Sequence, residues 1–314
     1  MRHDLDPGIR SFIETMRADW AAFPPAETLS LPELRAAAEQ VRARWTAGGP
    51  TMADTVERTI ATDAGGVRIR VYRPQGAGAM APALLYIHGG GFVLFSLDTH
   101  DRLMREYAAA AGVVVVGIDY PLSPEARFPV ALDRIGAAAR WIAAHGATIG
   151  VDPRRLAIGG DSAGANLAIA TAVDLRGSVA FDAILSNYGF FSTVVSDDAE
   201  ARLGGADALL HRDELLGYAR NYLTHAAQAA DPRAFPLSAD LAGLPPTLLL
   251  IPGLDVLAEQ SVAMARRMRA AGVAAETVIY PGATHSFLEA MSIADLARRG
   301  IADGAAFLAG HLHR

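Results

Sequence analysis

The 314-residue chain contains no cysteine. Disulfides, thiolate metal centres, iron–sulfur clusters and a cysteine nucleophile are thereby excluded. A long hydrophobic run is also missing: the most apolar stretch, Tyr107 to Ile118, is too short to span a bilayer and is interrupted by Gly112. The opening residues, Met1-Arg2-His3-Asp4-Leu5-Asp6-Pro7, lack the apolar core of a signal peptide, so a cytoplasmic location is expected. Basic charge is not in excess. The formal net charge is −6, which argues against a dedicated nucleic-acid surface and its basic patch. There are no internal repeats and no low-complexity linker. What the chain does have is apolar material, 51% of its residues, enough to build one large core.

That material falls into two periods. After Asp6-Pro7, a plausible helix start, Ile9, Phe12, Ile13, Met16 and Trp20 recur at helical spacing, and Pro24-Pro25 ends the helix. Ser30 with Glu33 forms a capping-box pattern before a second stripe, Leu34, Ala38, Val41 and Trp45. Two amphipathic helices ahead of any strand predict a segment, residues 1–52, laid against the rest as a lid or as a plain helical hairpin. From Val56 the pattern becomes β. Val56–Ala61 and Val67–Tyr72 flank the turn Asp63-Ala64-Gly65-Gly66. Short apolar runs follow at Ala83–Ile87, Val113–Ile118, Leu156–Ile158, Ala180–Leu185, Thr247–Ile251 and Glu276–Tyr280. Helical stretches separate most of them: Thr99–Ala111, Pro129–His145, Gly164–Leu175 and Ala258–Ala271, with a last helix from about Glu289 to Leu312. This alternation predicts a mostly parallel sheet wrapped by helices, its first two strands added antiparallel. The stretch Gly189 to Leu244 is too long for a crossover and reads as an insertion, 189–244, within a core of 53–188 and 245–314.

Gly160-Asp161-Ser162-Ala163-Gly164 joins an apolar strand to a helix-prone stretch, the arrangement of a nucleophile elbow. Glycines permit the tight turn, and the helix start behind it offers free N–H groups where negative charge would develop. A second signal, His88-Gly89-Gly90-Gly91-Phe92, follows the strand Ala83–Ile87 and suits a loop of oxyanion-stabilising donors. A serine hydroxyl needs a base, and the base needs a carboxylate to orient it. Of the histidines after Ser162, only His285 follows a late strand. His211 and His225 fall in the insertion, and His311 and His313 lie near the end of the chain. Asp255 directly follows the strand Thr247–Ile251, where open α/β sheets place their sites; Glu259, a turn further on, is the minor candidate. Asp161 is expected to brace the elbow, and Asp231 and Asp240 to serve turns.

These residues resemble the hormone-sensitive-lipase-like bacterial esterases of the α/β-hydrolase fold, a group marked by HGGG and GDSAG motifs. His88–Phe92 and Gly160–Asn166 match both, and Asp119-Tyr120-Pro121-Leu122-Ser123-Pro124-Glu125 is similar to the family's DYxLxPE segment. Leu97–Arg102 and Ser123–Pro129 look closest to the cytoplasmic acetyl esterases. The resemblance is strong from Val56 onward. It implies an eight-stranded, mostly parallel sheet, a triad of Ser162, Asp255 and His285, and oxyanion donors Gly89, Gly90 and Ala163. It also implies a cap made of the N-terminal helices and the insertion, short acyl ester substrates, and neither metal nor cofactor. Homodimers are common in such enzymes, and the sequence leaves that state open. Two departures touch loop shape: Asp255-Val256-Leu257 replaces the usual Asp-Pro-Leu, and Ser286 stands where glycine or alanine is frequent.

The expected activity is therefore hydrolysis of a small-molecule ester by an acyl-enzyme route. A non-catalytic receptor on the same fold, a peptide hydrolase and a long-chain lipase are the competing readings. The presence of His285 weighs against the receptor, and the lack of blade-length repeats against the peptidase. Phe190, Phe191, Leu209 and Leu210 either line an acyl site or pack inside the insertion.

Overall fold

A computed structural model of the chain describes residues 4–204 and 208–313. Its frame is an eight-stranded sheet in the order β1-β2-β4-β3-β5-β6-β7-β8. The strands are β1 (Asp54–Thr62), β2 (Gly65–Arg73), β3 (Ala81–Ile87), β4 (Val114–Asp119), β5 (Val151–Asp161), β6 (Ala183–Asn187), β7 (Thr247–Pro252) and β8 (Ala275–Tyr280). From β4 to β8 every neighbour is parallel, whereas β2 runs antiparallel to both β1 and β4. The helices are α1 (Pro7–Trp20), α2 (Leu31–Thr46), α3 (Asp101–Ala111), α4 (Val130–His145), α5 (Ala163–Asp174), α6 (Asp197–Leu203), α7 (Arg212–Tyr222), α8 (Ala258–Ala270) and α9 (Asp295–Leu312).

Strand alternation assigns the two faces. In β3, Ala83, Leu85 and Ile87 pack with Ile135 of α4, Leu167 of α5 and Met264 of α8, while Leu84 and Tyr86 pack with Tyr107 of α3 and Leu308 of α9. Both faces are covered, which is why the central strands are apolar throughout rather than alternating with polar residues.

The N-terminal helices lie on the α3/α9 face. Asp6 caps α1 through the N–H groups of Gly8 and Ile9, and the Ser30–Glu33 capping box opens α2. Phe12 meets Trp45 edge to face at 4.7 Å. Both helices pack against Phe287, Leu288 and Met291, just beyond the β8 strand. The insertion lies on the other face, and buried side chains of α5 and α8 are among those that hold it. Asn166 of α5 donates to the carbonyls of Phe190 (2.7 Å) and Ala234 (3.0 Å). Gln260 of α8 accepts from the N–H groups of Phe191 and Ser192 and donates to the carbonyls of Ser192 and Val194. Phe190 and Phe191 are fully buried, and the Phe190 ring lies 5.3 Å from Phe235 of the insertion and 5.9 Å from Phe92 of the core.

Most boundaries move by one to three residues from the sequence reading, and three of the differences have a clear cause. β5 starts at Val151, because Asp152, Arg154 and Arg155 satisfy one another beside Pro153 and so read as a loop. β6 covers Ala183–Asn187 rather than Ala180–Leu185, since Asp182 spends its backbone N–H on the Leu156 carbonyl ahead of the ladder. The last helix is two pieces, a 3₁₀ turn Phe287–Ser292 and α9, separated by extended Ala294. Gly8 packs on Ala294 so closely that a Cβ there would meet its Cα at 2.8 Å. This is a tertiary contact with no glycine or proline at the break to announce it.

Candidate active site

β5 delivers Ser162 to the C-terminal edge of the sheet, and α5 begins at the next residue. Ser162 has φ 53° and ψ −119°, a backbone state that L-residues avoid and that surrounding structure must enforce. Its N–H is held by the Asn187 carbonyl at 2.9 Å. The flanking glycines are sterically required: a Cβ on Gly160 or Gly164 would lie 2.3 or 2.0 Å from the Ile87 carbonyl oxygen.

The loop after β8 brings in His285. Its Nε2 lies 2.9 Å from Ser162 Oγ and its Nδ1 2.7 Å from Asp255 Oδ2. The carboxylate fixes the tautomer. With the Nδ1 proton donated to Asp255, the Nε2 lone pair faces the serine hydroxyl and can take its proton. Asp255 is buried, and its other oxygen accepts the Leu257 N–H at 2.9 Å. The acid and histidine loops are laced together through Gly253 N–H to Tyr280 O and Leu254 N–H to Ala283 O. Tyr188 presses its ring against His285, centroids 5.0 Å apart. Ser162 and His285 are each 8% exposed, so access to the hydroxyl is narrow.

The other candidates lie elsewhere. Glu259 accepts the N–H and the hydroxyl of Ser196, both at 2.7 Å, and so holds the base of α6. His211 caps α7, His225 opens the 3₁₀ turn Ala226–Ala230, and His313 reaches the Ala111 carbonyl. Asp231 accepts the Arg233 N–H, and Asp240 pairs with Arg176.

The glycine loop requires a correction. The Gly89 N–H, expected to point into the site, donates instead to Asp161 Oδ1 at 3.1 Å. That oxygen also accepts from Tyr86 Oη (2.9 Å), while Oδ2 meets His100 Nε2 at 3.2 Å. Burial pushes the Asp161 carboxyl up, but the His100 charge and the hydrogen bonds outweigh it and hold the group below the usual carboxylate range. Asp161 thus braces the elbow as expected, and does so by consuming the Gly89 donor. The N–H groups of Gly90 and Gly91 have no acceptor among the described residues, and that of Ala163 is freed by its place at the start of α5. His88 lies beneath the loop, its Nδ1 2.7 Å from the Gly89 carbonyl and its ring stacked on Tyr120. Burial lowers it to about 3, so it is neutral at physiological pH.

One buried pair escaped the sequence reading. Arg42 of α2 forms an ion pair with Glu289, four residues past His285, and lies over the Phe95 ring at 4.4 Å. α2 therefore touches the histidine loop and the glycine loop at once. A nearby clamp adds to this: Arg35 donates to the Val93 and Ser123 carbonyls and to both oxygens of Glu125. The available signal was a charged residue within the apolar stripe of α2, between Ala38 and Trp45. Among the described residues no cluster of His, Asp and Glu is disposed to hold a metal ion.

Comparison with known proteins agrees with this frame. The alpha/beta hydrolase fold family profile matches residues 84–289. An ester-hydrolase from the metagenome of Lake Arreo, solved with a derivative of bipyridine phosphonate, is 30% identical over 99% of this chain and 100% of its own, with a TM-score of 0.92. A hyperthermophilic esterase of the archaeon Pyrobaculum calidifontis is 30% identical over 98% of both chains, TM-score 0.89. A thermostable esterase of Pseudomonas putida is 29% identical over 99% of both, TM-score 0.93.

Proposed function

The chain belongs to the hormone-sensitive-lipase-like esterases of the alpha/beta hydrolase fold, and from that premise we propose that it is a serine carboxylesterase acting on short-chain, acetyl-type esters through an acyl-enzyme. The carrying observation is the hydrogen-bonded line Ser162–His285–Asp255, at 2.9 and 2.7 Å. In this reading Ser162 Oγ attacks the ester carbonyl as its proton passes to His285 Nε2, and Asp255 stabilises the imidazolium that results. The oxyanion rests on the N–H groups of Gly90, Gly91 and Ala163. Collapse of the tetrahedral species breaks the bond to the alcohol, which leaves with the proton from His285. Water then attacks the acyl-serine, giving up a proton to His285, and the second collapse releases the carboxylic acid and restores the serine.

The short-chain preference is supported by the narrow access to Ser162. The N-terminal helices and the insertion act as the cap in this reading. An apolar wall gains about 0.8 kcal/mol per methylene until it is filled, so activity should peak at roughly two to six acyl carbons. A p-nitrophenyl ester series tests this, and a maximum beyond ten carbons would favour a lipase. Ser162→Ala should lower turnover by several orders of magnitude, and activity within tenfold of wild type would exclude the serine route.

A further inference from the structure

Helix α7 sits over the glycine loop and carries two kinds of surface. Leu215, Ala219 and Tyr222 are buried, with the Tyr222 ring stacked on Phe92 at 3.8 Å. On the adjoining face lie Glu214 and Tyr218, one turn apart and only partly buried. The Tyr218 ring rests directly on the loop: a Cβ on Gly91 would strike it at 2.3 Å. The Tyr218 hydroxyl donates to Glu214 Oε1 at 3.0 Å, and Glu214 Oε2 has no hydrogen-bond partner among the described residues.

Nothing in the ester-hydrolysis scheme uses this carboxyl, and its setting is expensive. Burial raises its pKa, the Tyr218 hydroxyl only partly offsets that, and the charges of His211 and His285 reach it. Tyr218 rests on Gly91, one of the oxyanion donors, and Glu214 is bonded to Tyr218, so the pair borders the glycine loop that faces Ser162. Arg42, the cation whose charge reaches Tyr218, is already paired with Glu289. Glu214 Oε2 and the lone pairs of Tyr218 Oη are therefore adjacent acceptors with no donor supplied by the described residues.

We propose that Glu214 and Tyr218 form a hydroxyl-recognising subsite for the leaving alcohol, and that the enzyme's substrates are short acyl esters of polyhydroxylated, glycerol- or sugar-like alcohols. The inference rests on the ester-hydrolase reading above. Two neighbouring acceptors match a diol, and an analogue lacking its hydroxyls would bury both acceptors unpaired.

The test compares 2,3-dihydroxypropyl acetate with propyl acetate by pH-stat in wild type, Glu214→Gln and Tyr218→Phe, each first checked for a native circular dichroism spectrum. Wild type should show kcat/KM about tenfold or more higher for the dihydroxy ester, and each variant should move that ratio toward one. A wild-type ratio near one overturns the proposal, as does a ratio that survives in both variants. Two variants are used so that one that misfolds does not decide the outcome; Tyr218→Phe removes only the hydroxyl. If wild type cleaves neither acetate, the ester-hydrolase reading itself has failed and the subsite falls with it.

Discussion

The Arg42–Glu289 pair gives the sharpest energetic prediction. Both side chains are less than a tenth exposed, and burial draws the Arg42 guanidinium down to about 10, so it stays charged at neutral pH. Two charges removed from water are held by their mutual attraction and by the Phe95 ring face. Deleting one partner strands the other. Glu289→Leu should therefore cost about 3–5 kcal/mol, and Arg42→Met a similar amount. The double variant exchanges the pair for apolar groups that fit the surrounding Trp45 and Phe287 cluster, and should fall within about 2 kcal/mol of wild type. The cycle is read by urea unfolding, followed both by circular dichroism and by tryptophan fluorescence, requiring coincident transitions before free energies are compared. Single variants that each lose less than about 1 kcal/mol, or a double variant that loses the sum of the two, would refute the claim that this is a buried, coupled pair joining the N-terminal helices to the histidine loop.

Asp255→Asn should lower kcat by about three to four orders of magnitude, because an amide favours the wrong histidine tautomer, while Glu259→Gln stays within a few-fold and instead loosens Ser196; steady-state kinetics of the two variants decides between them. His88 gives a pH signature. Its folded pKa, near 3, lies below the unfolded value of about 6.5, so its contribution to stability is fully present above pH 6.5 and is lost as pH falls toward 3. Over that window wild type should lose about 1.4 kcal/mol more per pH unit than His88→Gln. Parallel slopes for the two proteins in urea titrations from pH 7 to 4 would show that the unfolded chain takes up no extra proton there.

Much of this architecture is written locally. The elbow is five consecutive residues whose glycines answer a single close approach to Ile87, so the motif and its reason are both visible in the chain. His285 and Asp255 were legible because each follows a short apolar run that had to be a strand, and strand ends converge at one edge of a parallel sheet. What stayed hidden depends on contacts between distant segments. That Gly89 spends its N–H on Asp161, 72 positions away, depends on how β3 and β5 are registered. The break at Ala294 depends on Gly8, and the role of Glu289 on Arg42, both reaching across almost the whole chain. Local propensity carries no record of such pairings, although a lone arginine inside an apolar stripe is a signal worth following.

In the proposed mechanism Ser162 forms the covalent intermediate. Incubating the folded protein with an alkyl p-nitrophenyl phosphonate, then measuring intact mass and mapping the modified peptide, tests it in one experiment. A single adduct on Ser162 is expected, formed with loss of p-nitrophenolate and accompanied by complete loss of esterase activity, with no adduct in Ser162→Ala or His285→Gln. Full activity in protein labelled at Ser162, or inactivation with the label on another residue, would contradict it.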